Sequence, residues 1–163
     1  RQNGQTRLPH RPARDAAGQV KWAETFPAQT PLTMNLMRRG QERFTIYCRP
    51  CHGDSAYGDG IVNQRAMNLL LTGVNGTQWV QPKNLHEPLI RIQPPGQIFN
   101  TITHGIRTMG PYESQIPVAD RWAIVAYIRA LQLSQHANLN DVAEADRNKL
   151  NGEVDSRSTV PHH

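Results

Sequence analysis

A chain of 163 residues suffices for one domain with a modest core. Only 37% of its residues are hydrophobic and 6% aromatic, and no run of about 18 apolar residues occurs, so no transmembrane helix is expected. The formal charge of +5 comes without a basic motif or an aromatic platform, which argues against nucleic acid as a partner.

Residues 1–35 carry Pro9, Pro12, Pro27 and Pro31, show neither a helical nor a strand period, and hold five Lys/Arg against two Asp/Glu. They read as an extended basic arm, separate from the domain at 36–132. Such an arm cannot bury itself, so it is either an unanchored leader or is laid on a partner. The apolar anchors Leu8, Val20, Trp22, Phe26 and Leu32 favour the partner. The chain begins with Arg, and the expectation is a processed, exported polypeptide whose signal peptide was cleaved or omitted.

A helix is predicted from Asn35 to Tyr47, because Leu36, Gly40, Phe44 and Tyr47 fall on one helical face. Gly40 inside it marks a close approach of another backbone. The natural partner is a helix from Asp120 to Gln132, with Asp120 as its cap and Ile124, Tyr127, Ile128 and Leu131 as its stripe. The ring of Tyr127 would then cross over Gly40. Between these two lie a glycine-rich turn at Gly53–Gly60, a helix at Ile61–Leu71, a short helix from Asn84 to Ile92 and another from Gly96 to His104. The segment from Asn63 to Pro82 offers no motif, and no stretch alternates like a strand. Residues 133–163 form a polar tail with three Lys/Arg against five Asp/Glu and room for a short helix near Asp141–Leu150. The fold class expected is all-α, with several short helices and little or no sheet.

One stretch carries chemistry. Cys48-Arg49-Pro50-Cys51-His52 has the Cys-x-x-Cys-His spacing of c-type haem attachment. Two thiols two residues apart reach the two vinyl groups on one porphyrin edge, and the next histidine offers a nitrogen to the iron. A zinc site would have to recruit two of the seven histidines, since the chain has only two cysteines. A redox dithiol would want a βαβ setting that is absent. One haem, covalent through Cys48 and Cys51 with His52 on the iron, is therefore expected, and it would also supply the apolar bulk that the composition lacks.

The iron needs a second axial ligand, and a Met thioether would raise its potential. Met34 and Met37 precede the attachment site on the outer side of the first helix, and Met67 reads as a core residue. Met109 sits in a loop framed by Gly105, Gly110 and Pro111, rigid enough to hold sulfur against iron, and is the ligand expected beside His52. His104 is the rival, although a lone histidine at a helix end more often caps it.

Gly40-x3-Phe44-x3-Cys48-x2-Cys51-His52 together with Trp122-Ala123-Ile124-Val125-Ala126-Tyr127-Ile128 resembles a class I cytochrome c. The longer stretches Arg43–Gly53, Phe99–Gly105 and Asp120–Gln135 are similar to the monohaem cytochrome c subunit of bacterial alternative complex III, a quinol-oxidising assembly. That resemblance covers about residues 35–135. It implies a class I cytochrome c fold around one haem and a role as an electron carrier, not an enzyme in itself. It also implies a place on the periplasmic side of the bacterial inner membrane, in a respiratory or photosynthetic complex. Electrons would come from a multihaem subunit and pass to a terminal oxidase or a soluble carrier. Attachment to the membrane would run through partner subunits, or through a lipid on a segment outside this chain. Two rivals stand beside it: a freely diffusing periplasmic cytochrome c, and a haem enzyme or gas sensor with an open iron position. Basic residues around an exposed haem edge would steer an acidic partner.

Overall fold

The computed structural model describes residues 13–73, 79–144 and 146–147. In chain order they form a two-residue hairpin pair, β1 (Ala13–Arg14) and β2 (Val20–Lys21), and then six helices. These are α1 (Met34–Tyr47), α2 (Arg49–His52), α3 (Ile61–Leu71), α4 (Pro88–Arg91), α5 (Pro95–His104) and α6 (Val118–Ser134). The all-α expectation holds apart from the small antiparallel pair, in which Ala13 faces Lys21 and Arg14 faces Val20. The chain divides between Gln132 and Leu133, late in α6. On the far side of that division a 3₁₀ turn spans Leu139–Asp141, and the amides of Asp146 and Arg147 donate to Ala143 O. The rest of the helix expected near Asp141–Leu150 lies outside the described residues, as does Leu8 of the arm.

α1 starts where Thr33 accepts the Leu36 amide on its hydroxyl at 3.2 Å. It stops at Tyr47, and Pro50 explains why. Proline has no amide to continue the ladder, but it fits the first turn of a new helix, so α2 restarts at Arg49. This break holds the Cys-x-x-Cys-His stretch in a turn of its own.

α6 is the buried centre. Trp122, Ala123, Ile124, Val125 and Ala126 are all at most 1% exposed. Phe44 of α1, Ile98, Phe99 and Ile102 of α5, and Ile116 complete the cluster around it. Each such side chain contributes roughly 1.5–3 kcal/mol on burial. Phe99 stacks on Trp122 with ring centroids 4.4 Å apart, and Phe44 meets Tyr127 edge-on at 5.4 Å.

The predicted crossing of α1 and α6 is present and tighter than a ring over a glycine. A Cβ on Gly40 would overlap the Ala123 carbonyl oxygen and stand 2.9 Å from Tyr127 Cβ. Backbone meets backbone, and the Tyr127 ring goes to Phe44 instead.

Three expectations are corrected. Asp120 does not cap α6. It lies inside the first turn and receives Arg39 Nε and Nη2 on its two oxygens, both at 2.8 Å, with Arg43 Nε at 3.6 Å. It is thus the ionic clasp between α1 and α6. Asn84 does not begin a helix, because its side chain accepts the His86 amide at 2.9 Å in a local turn, and α4 waits until Pro88. The arm does not await a partner along its whole length. The Gly96 amide donates to Ala23 O at 2.9 Å, Phe26 packs edge-on against Trp122 at 5.9 Å, and Thr30 is buried. Residues 23–30 therefore lie on their own domain, whereas Val20 and Leu32 stay exposed.

Candidate haem site

Cys48 is the hinge residue between α1 and α2, and Cys51 and His52 follow on the single turn of α2. That turn is closed by the amides of Cys51 and His52, which both donate to Cys48 O, at 3.1 and 2.8 Å. Both cysteines are free thiols and half-buried. Burial pushes the Cys48 thiol up to about 12, and the neighbouring Cys51 adds to the effect. Burial also raises Cys51.

The glycine-rich turn that follows is shaped around this stretch. The Gly58 and Gly60 amides donate back to His52 O and Cys51 O at 2.8 and 3.1 Å. A Cβ on Gly60 would fall 2.6 Å from both Arg49 O and the Cys51 carbonyl carbon, so only glycine lets the loop pass there.

His52 is oriented from behind. Its Nδ1 lies 3.3 Å from Lys83 O. A carbonyl only accepts, so Nδ1 carries the proton and Nε2 keeps its lone pair for a metal. Burial lowers the His52 pKa, opposed by that same hydrogen bond, and this favours the neutral imidazole that ligation requires. Lys83 is held in turn through its neighbours. The Leu85 amide donates to Ala56 O at 2.9 Å, Gln132 Nε2 donates to Leu85 O at 2.6 Å, and His86 Nε2 meets Ser55 O at 2.7 Å.

Tyr112 packs against Tyr47, just ahead of Cys48, with ring centroids 6.2 Å apart. Its hydroxyl makes a long 3.5 Å contact with Tyr47 O, the carbonyl freed where α1 breaks. Burial raises its pKa, and the negative charges that Cys48 and Cys51 would carry raise it further. Tyr112 follows Met109 by three residues, so the loop carrying Met109 is joined through this ring to Tyr47, the residue before Cys48. Met109 itself is half-buried in a tight turn, with its amide donating to Ile106 O at 2.9 Å and its carbonyl accepting the Ile106 amide at 3.0 Å. Arg107 sits at the tip of that turn with φ +52°.

The other candidate ligands have surroundings of their own. His104 is exposed, with Nδ1 3.3 Å from Asn100 O of its own helix. The Met67 sulfur accepts Gln81 Nε2 at 3.0 Å, and Met34 is 69% exposed. Sequence reasoning missed three participants. Lys83 acts through its backbone, which no side-chain pattern announces. Tyr112 could have been found from its distance of three residues from Met109. Asn63 accepts the Trp79 indole N–H at 2.7 Å and donates to Gly58 O at 2.8 Å, tying the stretch that lacked a motif to the turn behind the cysteines.

Over residues 35–128 the sequence matches the family described as cytochrome c oxidase, cbb3-type, subunit III. The chain belongs to this family. The match holds α1, the Cys-x-x-Cys-His turn, the Met109 loop and α6 as far as Ile128. Among solved structures the chain is similar to a reducing HAO-like protein complex of Kuenenia stuttgartiensis, at 16% identity and a TM-score of 0.50. That alignment covers 62% of this chain and 46% of the other, so it speaks to the fold alone. No curated protein matches the chain. Membership of a cytochrome c family implies a haem, and the residues present fit one. The two thiols share one turn, and the imidazole Nδ1 is already engaged. No described helix is long and apolar enough to cross a membrane.

Proposed function

We propose that this cbb3-type family member is a monohaem electron carrier, with haem joined to Cys48 and Cys51 and ligated by His52 and Met109. The observation that carries this reading is the His52–Lys83 hydrogen bond. It fixes the tautomer of an imidazole whose neighbours in the same turn are the two thiols. A bound haem supplies a one-electron iron couple. The chain's own work is to bind and orient it. α2 presents the thiols and Nε2, Lys83 O makes the imidazole a stronger donor, and the Ile106–Met109 turn holds a thioether in a fixed loop.

The carrier is proposed to act as a subunit of a quinol-oxidising membrane complex of the alternative complex III kind, at the periplasmic face of the bacterial inner membrane. In that role it accepts electrons from a multihaem subunit and passes them to a terminal oxidase or a soluble carrier. The support is the long likeness over residues 35–135 and the family's description as an oxidase subunit. A second reading, a freely diffusing cytochrome c, is favoured by one observation: Phe26 and Ala23 of the arm are engaged with their own domain.

Two measurements test these readings. The intact mass of the purified polypeptide should exceed that of the chain by one haem, and a mass without it would end the carrier reading. Size-exclusion of a native membrane extract should place the chain with a multihaem cytochrome, and its elution alone would favour the shuttle.

A further inference from the structure

Arg121 is 4% exposed, on the first turns of α6. Its Nη1 donates to Thr103 Oγ1 at 2.6 Å, and that hydroxyl donates onward to Phe99 O at 2.7 Å. The guanidinium carbon lies 5.0 Å above the Phe99 ring. Its Nε–H finds no hydrogen-bond partner, and among the described residues no carboxylate stands within ion-pair distance. Glu113 acts on it only from further away, and burial lowers its pKa.

Holding a cation without a carboxylate partner out of water is costly, and an apolar residue of the same length would fill the slot without that penalty. Arg39 and Arg43, one helix away, show the contrast, because both reach Asp120. The position of Arg121 suggests what the charge does. Thr103, which it grips, follows Ile102, whose carbonyl accepts the Tyr112 amide at 3.1 Å. Tyr112 in turn meets Tyr47, the residue before Cys48, through its hydroxyl at 3.5 Å from Tyr47 O and ring to ring at 6.2 Å. The cation is therefore joined to the Cys-x-x-Cys-His turn by a short relay of packed residues, Thr103, Ile102, Tyr112 and Tyr47.

We propose that Arg121 sets the reduction potential of the haem upward, its fixed buried charge favouring the iron state with one positive charge fewer. The proposal rests on the carrier reading given above. Reduction removes one unit of positive charge from the site, so a nearby cation opposes the oxidised form more than the reduced one. Because the charge is buried, salt screens it little.

Redox titration of the visible spectrum is the test, on haem-loaded wild type, Arg121→Gln, Arg121→Met and Arg121→Lys. Met is included because it is apolar and close in length, so the slot stays filled. The Gln and Met proteins should titrate at clearly lower potential and Lys close to wild type. The shift should survive high ionic strength, whereas any shift in the exposed control Arg65→Gln should fade with salt. Gln and Met proteins with native spectra at the wild-type potential would overturn the proposal. So would a Lys protein shifted as far as Gln, which would assign the effect to shape. Loss of haem or of its ligation in both Gln and Met proteins would make the role structural and overturn it too. A wild-type chain without covalent haem would instead sink the carrier reading.

Discussion

Gly40→Ala isolates the α1–α6 crossing. On an open helix the change stabilises by about 1 kcal/mol, because glycine gives up more backbone freedom on folding. Here the added carbon would overlap the Ala123 carbonyl oxygen and lie 2.8 Å from its carbon and 2.9 Å from Tyr127 Cβ. Carbons prefer about 3.5 Å or more, so the helices must part by over half an ångström, a gap that forfeits about a quarter of each dispersion contact along the seam. The obstacle is backbone and cannot rotate aside. Taking roughly 3 kcal/mol for overpacking a rigid contact against the propensity gain leaves a loss of roughly 2 kcal/mol. For a domain of this size that is about 8–16 °C in Tm. Thermal melts of the haem-loaded protein by far-ultraviolet circular dichroism measure it, with exposed Gln41→Ala as a control expected within about 0.5 kcal/mol of wild type. A Gly40→Ala protein melting at or above the wild-type temperature would refute the crossing as drawn.

Met109→Leu should abolish sulfur ligation, seen as loss of the associated red-end absorption band and as new carbon monoxide binding by the reduced protein. His104→Ala should leave that spectrum unaltered, and the reverse pattern would exchange the two assignments. Asp120→Ala removes the acceptor of Arg39 and the ion-pair partner of Arg43 and should destabilise by about 2 kcal/mol in urea titration, the half-exposed Arg39 limiting the loss. Asn63→Ala strands the Trp79 indole and Gly58 O and should cost about 1–3 kcal/mol, checked by the same titration and by increased Trp79 solvent exposure in fluorescence quenching.

Much of the helical frame was legible because its signals are local. Ile61–Leu71 appears as predicted, α5 begins one residue before Gly96, and Gly40 announced the crossing before any coordinates. The Cys-x-x-Cys-His turn was legible because its chemistry fixes both residue types and spacing in the sequence itself. Asp120 was misread because an acid at a helix start looks the same whether it caps its own amides or answers two arginines some 80 positions earlier. Lys83 was invisible because a carbonyl has no letter in the sequence. The stretch from Asn63 to Pro82 seemed silent because its described contacts pair residues far apart in it, Asn63 with Trp79 and Met67 with Gln81.

The arm yields the sharpest separation between subunit and shuttle. Composition made it look like a single ligand for a partner, but its described residues fall into two parts. Residues 13–21 form an exposed hairpin whose hydrogen bonds, among the described residues, stay within it, the Ala17 and Gln19 amides donating to Asp15 Oδ1 at 2.9 and 2.8 Å. Residues 23–30 are anchored by Gly96 and Trp122. Removing residues 1–21 should therefore leave the stability of the haem-loaded protein within about 0.5 kcal/mol of wild type, as surface changes do. Phe26→Ala should lower stability by about 2 kcal/mol, since a half-buried aromatic loses part of the 3–5 kcal/mol of a core one. If the chain is a subunit held by its arm, the truncation should also release it from the membrane complex, while Phe26→Ala weakens the fold first. A truncated chain that stays with the complex would move the docking surface onto the haem domain, and a truncated chain that unfolds would show that the hairpin belongs to the domain after all.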